Sequence, residues 1–102
     1  MKIRFISIES SRPDWAKKAF STYESKFNKS INIDWLGLKP VSRIGNYNAL
    51  DVVEKESNLL QSKVKKNEFV IALDKEGMSL STETLRFQFD NWISSSKDIS
   101  II

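Results

Sequence analysis

The 102-residue chain contains no cysteine and no histidine. The first absence excludes disulfides and thiolate metal sites, and the second removes the commonest general base and metal ligand. No Ser-His-Asp or Cys-His set can be assembled from what remains. Glycine is scarce at three residues, and none builds a phosphate cradle. The segment after the first strand-like run reads Ile8-Glu9-Ser10-Ser11-Arg12, neither a G-x-G-x-x-G fingerprint nor a P-loop. No apolar run approaches the roughly 18 residues of a membrane span. Met1-Lys2-Ile3-Arg4-Phe5 is a charged, alternating start, unlike a signal peptide. The expectation is one soluble, cytoplasmic domain over residues 1–102, with no metal and no membrane partner.

What is present can fill a single core, with 40% hydrophobic residues. The net charge of +3 is unevenly placed. Residues 1–50 hold nine Lys/Arg against four Asp/Glu, and residues 51–102 hold seven against nine. A basic half suits an anionic partner such as RNA. Charge alone favours the blander reading of a solvated helix surface.

Lys2-Ile3-Arg4-Phe5-Ile6-Ser7-Ile8 is dominated by β-branched and aromatic residues and reads as a strand. Pro13 and Asp14 suit a helix start, and Trp15, Ala16, Ala19, Phe20, Tyr23 and Phe27 recur at helical spacing through 13–28. Ile31, Ile33 and Trp35 alternate with Asn32 and Asp34, the pattern of an edge strand with one wet face. Pro40 to Asn48, with Gly45 and Asn46, is a loop.

A second helix is expected over about 49–65, capped by Asn48, with Ala49, Val53, Leu60 and Val64 on its inner stripe and Leu50, Val52 and Leu59 beside it. Phe69-Val70-Ile71-Ala72-Leu73 is a continuous apolar run, expected to be a strand covered on both faces. Asp74-Lys75-Glu76-Gly77 is a turn. Ser79 or Ser81 caps a third helix whose buried face is Leu85, Phe89, Trp92 and Ile93, with Phe87 pointing almost the opposite way. Lys63, Lys65 and Lys66 suit a helix C-terminus without any ligand. Asp98-Ile99-Ser100-Ile101-Ile102 is the last strand. The order βαβαβαβ predicts an α/β fold, a mostly parallel sheet of about four strands with helices on both faces. Glu9 and Asp74 are a thin match to the carboxylates of a receiver-type phosphoacceptor. No acid–base pair stands out.

Four segments in register carry a family resemblance. Pro13-Asp14-Trp15 with Phe20, Tyr23 and Phe27, then Glu56 with Leu59 and Leu60, then Val70 to Asp74 followed by Gly77, Ser79, Ser81 and Glu83, and finally Asp98 to Ile102 together resemble one family. It is the SPOUT-class methyltransferases that modify a pseudouridine at N3 in large-subunit (23S) ribosomal RNA. Ser57, Met78 and Arg86 depart from its usual residues.

The resemblance implies an α/β-knot fold, a homodimer, S-adenosylmethionine as cofactor and the ribosome as substrate. It places a backbone cofactor contact at Leu73, with Asp74 and Gly77 in the adjoining loop. It also implies that the family's Gly-Gly-x-x-Gly cofactor loop, its knotted segment and its polar tail lie beyond Ile102. The expectation is therefore a scaffold corresponding to the family's first two thirds, lacking catalytic residues, binding the cofactor weakly and inactive alone. Such a scaffold would self-associate through a bared sheet edge.

Arg12, Lys17, Lys18 and Arg43 are the candidate RNA-phosphate contacts. Trp15, Trp35 and Trp92 lie on predicted apolar faces and are expected in the core rather than stacked on bases. Two other functions stay open: a non-catalytic RNA- or ribosome-binding remnant, and a flavodoxin- or receiver-like regulatory domain.

Overall fold

The computed structural model describes residues 1–27, 30–43, 45, 47–95 and 97–102. Asn28, at the end of the expected first helix, and Asn46, in the expected loop, lie outside the described residues. The order is β1 (Lys2–Ile8), α1 (Asp14–Glu24), β2 (Asn32–Leu38), α2 (Ala49–Ser62), β3 (Phe69–Ile71), α3 (Thr82–Ser94) and β4 (Ile99–Ile101). The strands form one parallel sheet in the order β2-β1-β4-β3. The predicted α/β class, strand number and parallel pairing all hold, and β2 is an edge strand as its alternation implies.

The register explains why helices cover both faces. Phe5 pairs with Trp35 on one side and Ile101 on the other, and Ile101 pairs with Ile71. In-register partners share a face, and α1 and α3 lie on this one, through the ring contacts Phe5–Phe20 and Phe69–Trp92. Arg4, one residue out of phase, points to the opposite face and donates to the Lys63 carbonyl beyond α2. The connections β1→β2 and β3→β4 run in one direction across the sheet, and β2→β3 runs back. Crossovers of a single hand require that α2 take the other face. The strand order also sets aside a flavodoxin-like domain, in which β1 lies between β2 and β3. Here β1 lies between β2 and β4.

Side-chain burial departs from the periodicity in several places. The run Phe69–Leu73 forms only three residues of strand at the free edge of the sheet, with Phe69 and Val70 exposed. It is not covered on both faces, because an apolar run does not specify which neighbours it will have. On α2 the buried residues are Val52 and Glu56, whereas Ala49 and Val53 are exposed. The inner stripe therefore lies to one side of the expected one, and a carboxylate sits within it. No residue of α3 is fully buried, and Leu85 and Ile93 are exposed. Trp15 is 73% exposed, against the expectation of core packing, while Trp35 and Trp92 are half-buried.

The core is centred on Ile3, Ile6, Ile33, Leu38, Val52 and Ile99. The radius of gyration is 15.5 Å, against about 13 Å for a compact domain of this length. Helices α1 and α3 lean on the sheet rather than enclose it, so much apolar surface stays open.

Candidate functional site

The carboxyl ends of β1 and β4 open into an apolar cleft of about 580 Å³. Its walls are Phe5, Ile6, Ser7 and Ile8 from β1, Phe20 from α1, Trp35 from β2, Leu60 from α2, and Leu73, Ile101 and Ile102. This is the position at which open parallel sheets take their ligands, and the volume suits a small molecule. Among the described lining residues only Ser7 and Trp35 carry a polar side-chain atom, and the Ser7 hydroxyl accepts the Trp35 indole N–H at 2.8 Å. A second apolar groove of about 560 Å³ lies between the sheet and α3, and Leu73 and Ile101 line both.

Leu73 owes its place to the sheet. Ile102 donates its N–H to the Ile71 carbonyl at 2.9 Å, and Leu73 donates its N–H to the Ile102 carbonyl at 2.9 Å. These two bonds extend the β3–β4 pairing one step past the strands and hold the Leu73 backbone at the cleft. Its side chain is 74% exposed, so it is not a core residue. The turn that follows is fixed by Asp74, whose side chain accepts the Glu76 N–H at 3.1 Å and whose carbonyl accepts the Gly77 N–H at 2.9 Å. A Cβ on Gly77 would stand 3.1 Å from that carbonyl oxygen, a close approach that favours glycine. Leu73 lines the cleft, and the Asp74–Gly77 turn follows it directly in the chain without lining the cleft among the described residues.

The candidate RNA contacts are not brought together. Arg12 forms an ion pair with Glu9 at 2.6 Å, and its guanidinium carbon stands 3.7 Å from the centroid of the Trp35 ring. Arg43 pairs with the buried Glu56 at 2.6 Å and ties the loop after β2 to α2. Lys17 and Lys18 are exposed on α1, and neither is in an ion pair among the described residues. The Arg43–Glu56 pairing joins residues 13 apart, whereas Arg12 and Glu9 are three residues apart. Only the closeness of Glu9 and Arg12, in the loop between β1 and α1, signals one of them in sequence.

One further charged cluster lies on the α2 face, away from the cleft. Arg4 donates to Glu68 at 2.7 and 3.2 Å and to the Lys63 carbonyl at 2.6 Å. Glu68 also accepts the Lys65 N–H at 2.6 Å. Burial alone would raise the Glu68 carboxyl, but the Arg4 hydrogen bonds, the Lys65 N–H and the guanidinium charge outweigh it and hold it below its ordinary range. The fully buried Ser100 hydroxyl adds a lowering influence, although it closes no hydrogen bond of good geometry. No group of three or more metal-ligating side chains occurs among the described residues. No described helix is long and apolar enough to cross a membrane.

Parallel sheet, crossover helices on both faces and an apolar cleft at the strand ends define an α/β scaffold with a candidate ligand cleft. Residues 1–102 match the family model described as predicted SPOUT methyltransferase, and the chain belongs to that family. It is 28% identical, over all 102 residues, to the ribosomal RNA large subunit methyltransferase H of Methylobacillus flagellatus, covering 65% of that protein. It is 26% identical over its full length to the protein of the same name from Chromohalobacter salexigens, covering 66% of it. The chain thus spans just under two thirds of the length of these relatives.

Proposed function

We propose that this chain supplies the sheet and the adenosine-facing wall of an S-adenosylmethionine-dependent methyltransferase of large-subunit ribosomal RNA. The observation that carries the reading is the apolar cleft at the carboxyl ends of β1 and β4, lined by Leu73, whose backbone is held there by its bond to Ile102. An adenine ring suits apolar walls such as Ile6, Leu60 and Ile101. When bound, S-adenosylmethionine supplies the methyl group for transfer. The residues of this chain orient and shield it. The relatives' names support ribosomal RNA as the substrate, and the basic first half of the chain supports an anionic partner. A cytoplasmic ribosomal substrate and a homodimer belong to the same reading.

The donor set also limits what these 102 residues do alone. Adenine finds its walls, but the ammonium and carboxylate of the cofactor's methionine end find no charged side chain among the described residues lining the cleft. Weak cofactor binding and no methyl transfer by the 102-residue polypeptide follow. That no described lining residue is an acid or base also supports a second reading, a non-catalytic RNA-binding protein built on the same scaffold.

Titration of the 15N-labelled chain with S-adenosylmethionine up to millimolar concentration separates the two. Amide shifts concentrated at Leu73, Asp74, Gly77, Ile101 and Ile102 are the expected result. No shifts at millimolar cofactor, or shifts centred elsewhere, would leave the cleft without a cofactor role and favour the second reading.

A further inference from the structure

The first turn of α1 begins at the same end of the sheet as the cleft, and it carries the most exposed tryptophan of the chain. Trp15 is 73% exposed, while Ala16 on the next position is buried and Phe20 packs on Phe5 and Trp35. The helix is therefore seated through Ala16 and Phe20 and turns Trp15 outward. Residues three or four positions apart share a helical face, which sets Lys18 on the Trp15 side and Lys17 on the far flank, while Lys26 stands in the turn just past the end of α1. Tyr23 is 64% exposed, with the Lys26 ammonium 5.4 Å from its ring centroid.

All three lysines are exposed, and none is in an ion pair among the described residues. Asp14 stands one turn before Lys18 without pairing to it. The arginines first considered for RNA are committed elsewhere, Arg12 to Glu9 and Trp35 and Arg43 to Glu56.

We propose that this face of α1, together with the turn that follows it, is a platform for single-stranded RNA, on which Trp15 stacks a base while Lys18 and Lys26 hold the flanking phosphates. The inference rests on the ribosomal RNA reading above and names the surface that would serve it. Aromatic faces flanked by cations bind single strands because every base offers a π-face and every linkage a negative charge. Two alternatives fit less well. A second copy docked symmetrically on this face would set lysine against lysine, and an apolar partner would leave those ammonium groups desolvated.

The test uses the 102-residue protein with a 12-nucleotide single-stranded oligouridylate, followed by fluorescence anisotropy over a salt series. Binding at about 10–100 μM is expected at low salt. Trp15→Ala should weaken it about 5- to 100-fold, and Trp15→Phe should restore most of the loss. The double change Lys18→Ala/Lys26→Ala should lower the slope of log affinity against log salt by about 1.4, whereas Lys17→Ala should leave it nearly unchanged.

The platform is overturned if the wild type fails to bind at millimolar protein or Trp15→Ala stays within twofold of it. It is also overturned if Lys17→Ala matches Lys18→Ala, or if light scattering shows that Trp15→Ala acts by changing the oligomeric state. No cofactor or methyl transfer enters this assay. Failure of the cofactor titration therefore leaves the platform standing, and failure at Trp15 leaves the cleft reading intact.

Discussion

Arg4 on β1 and Glu68 just before β3 are joined by two hydrogen bonds, at 2.7 and 3.2 Å, beneath α2. The pair bridges β1 to the free edge of the sheet, two elements separated by β4. Both side chains are nearly sealed from solvent, at 10% and 4% exposure. Removing one partner leaves a buried charge without compensation, which costs more than the pair contributes. Glu68→Ala should therefore lower stability by about 3 kcal/mol. The double variant Arg4→Met/Glu68→Leu should recover most of that loss. Urea unfolding of the three proteins reads both outcomes. A double variant less stable than Glu68→Ala would show that the pair holds β3 in place by more than charge balance.

The same pair sets a direction for acid sensitivity. The Glu68 carboxyl is held below its ordinary value of 4.5 in the folded chain. A depressed folded value stabilises the fold fully above the unfolded value, and the contribution is lost as pH falls through the folded one. Wild-type stability should be flat from neutral pH to about pH 5 and then fall. Glu68→Gln should be less stable at neutral pH and should flatten the acid limb. Urea midpoints across pH check this, and an unchanged acid limb would assign the loss to other carboxylates.

Much of the scaffold was legible because β-branched runs and helical spacing are local signals. Lys2–Ile8 announces β1, and Asn48 caps α2 by accepting the Leu50 N–H at 2.9 Å. Of the two serines before α3, Ser81 is the cap, its hydroxyl accepting the Thr84 N–H at 3.1 Å. The misses concern what covers what. Phe69–Leu73 reads as a strand covered on both faces because it is apolar, yet Phe69 and Val70 are exposed and the strand lies at the free edge of the sheet. Trp15 fits an apolar stripe, yet α1 is rotated so that Ala16 and Phe20 meet the sheet. Leu73 was placed at the cleft by resemblance to a family. Its residue type suggests only a core position, and the backbone bond that holds it there has no sequence signature.

Glu56 shows the same limit and carries its own prediction. It lies on the buried face of α2, where periodicity expects a hydrocarbon, and it is neutralised by Arg43 at 2.6 Å. Arg43 is 55% exposed at its side chain, so the bond acts mainly by holding the loop after β2 against the helix. Arg43→Ala should cost about 1–2 kcal/mol, because a mostly buried carboxylate loses its partner. Amide hydrogen exchange should accelerate over Lys39 to Arg43 while β1 stays protected. Unchanged exchange in that loop would mean that other contacts hold it.

The Glu9–Arg12 pair over Trp35 gives the last prediction, and it separates structural from RNA-facing cations. Gly37 lies beneath the Glu9 carboxylate, and a Cβ there would run into it. The obstructing atoms are the far end of a flexible side chain, so Gly37→Ala should displace Glu9 and leave β2 in register. Arg12 then loses its anchor, and the Trp35 ring loses the cation over its face. The expected loss is about 1 kcal/mol, with a shift of the Trp35 indole N–H resonance and little change in the Ile33 amide. Shifts spread along the whole of β2 would mean that the strand itself had moved. Arg12→Ala should reproduce the Trp35 shift yet barely alter oligouridylate binding, since its guanidinium is already occupied. A loss of RNA affinity in Arg12→Ala as large as in Lys18→Ala would return Arg12 to the RNA surface.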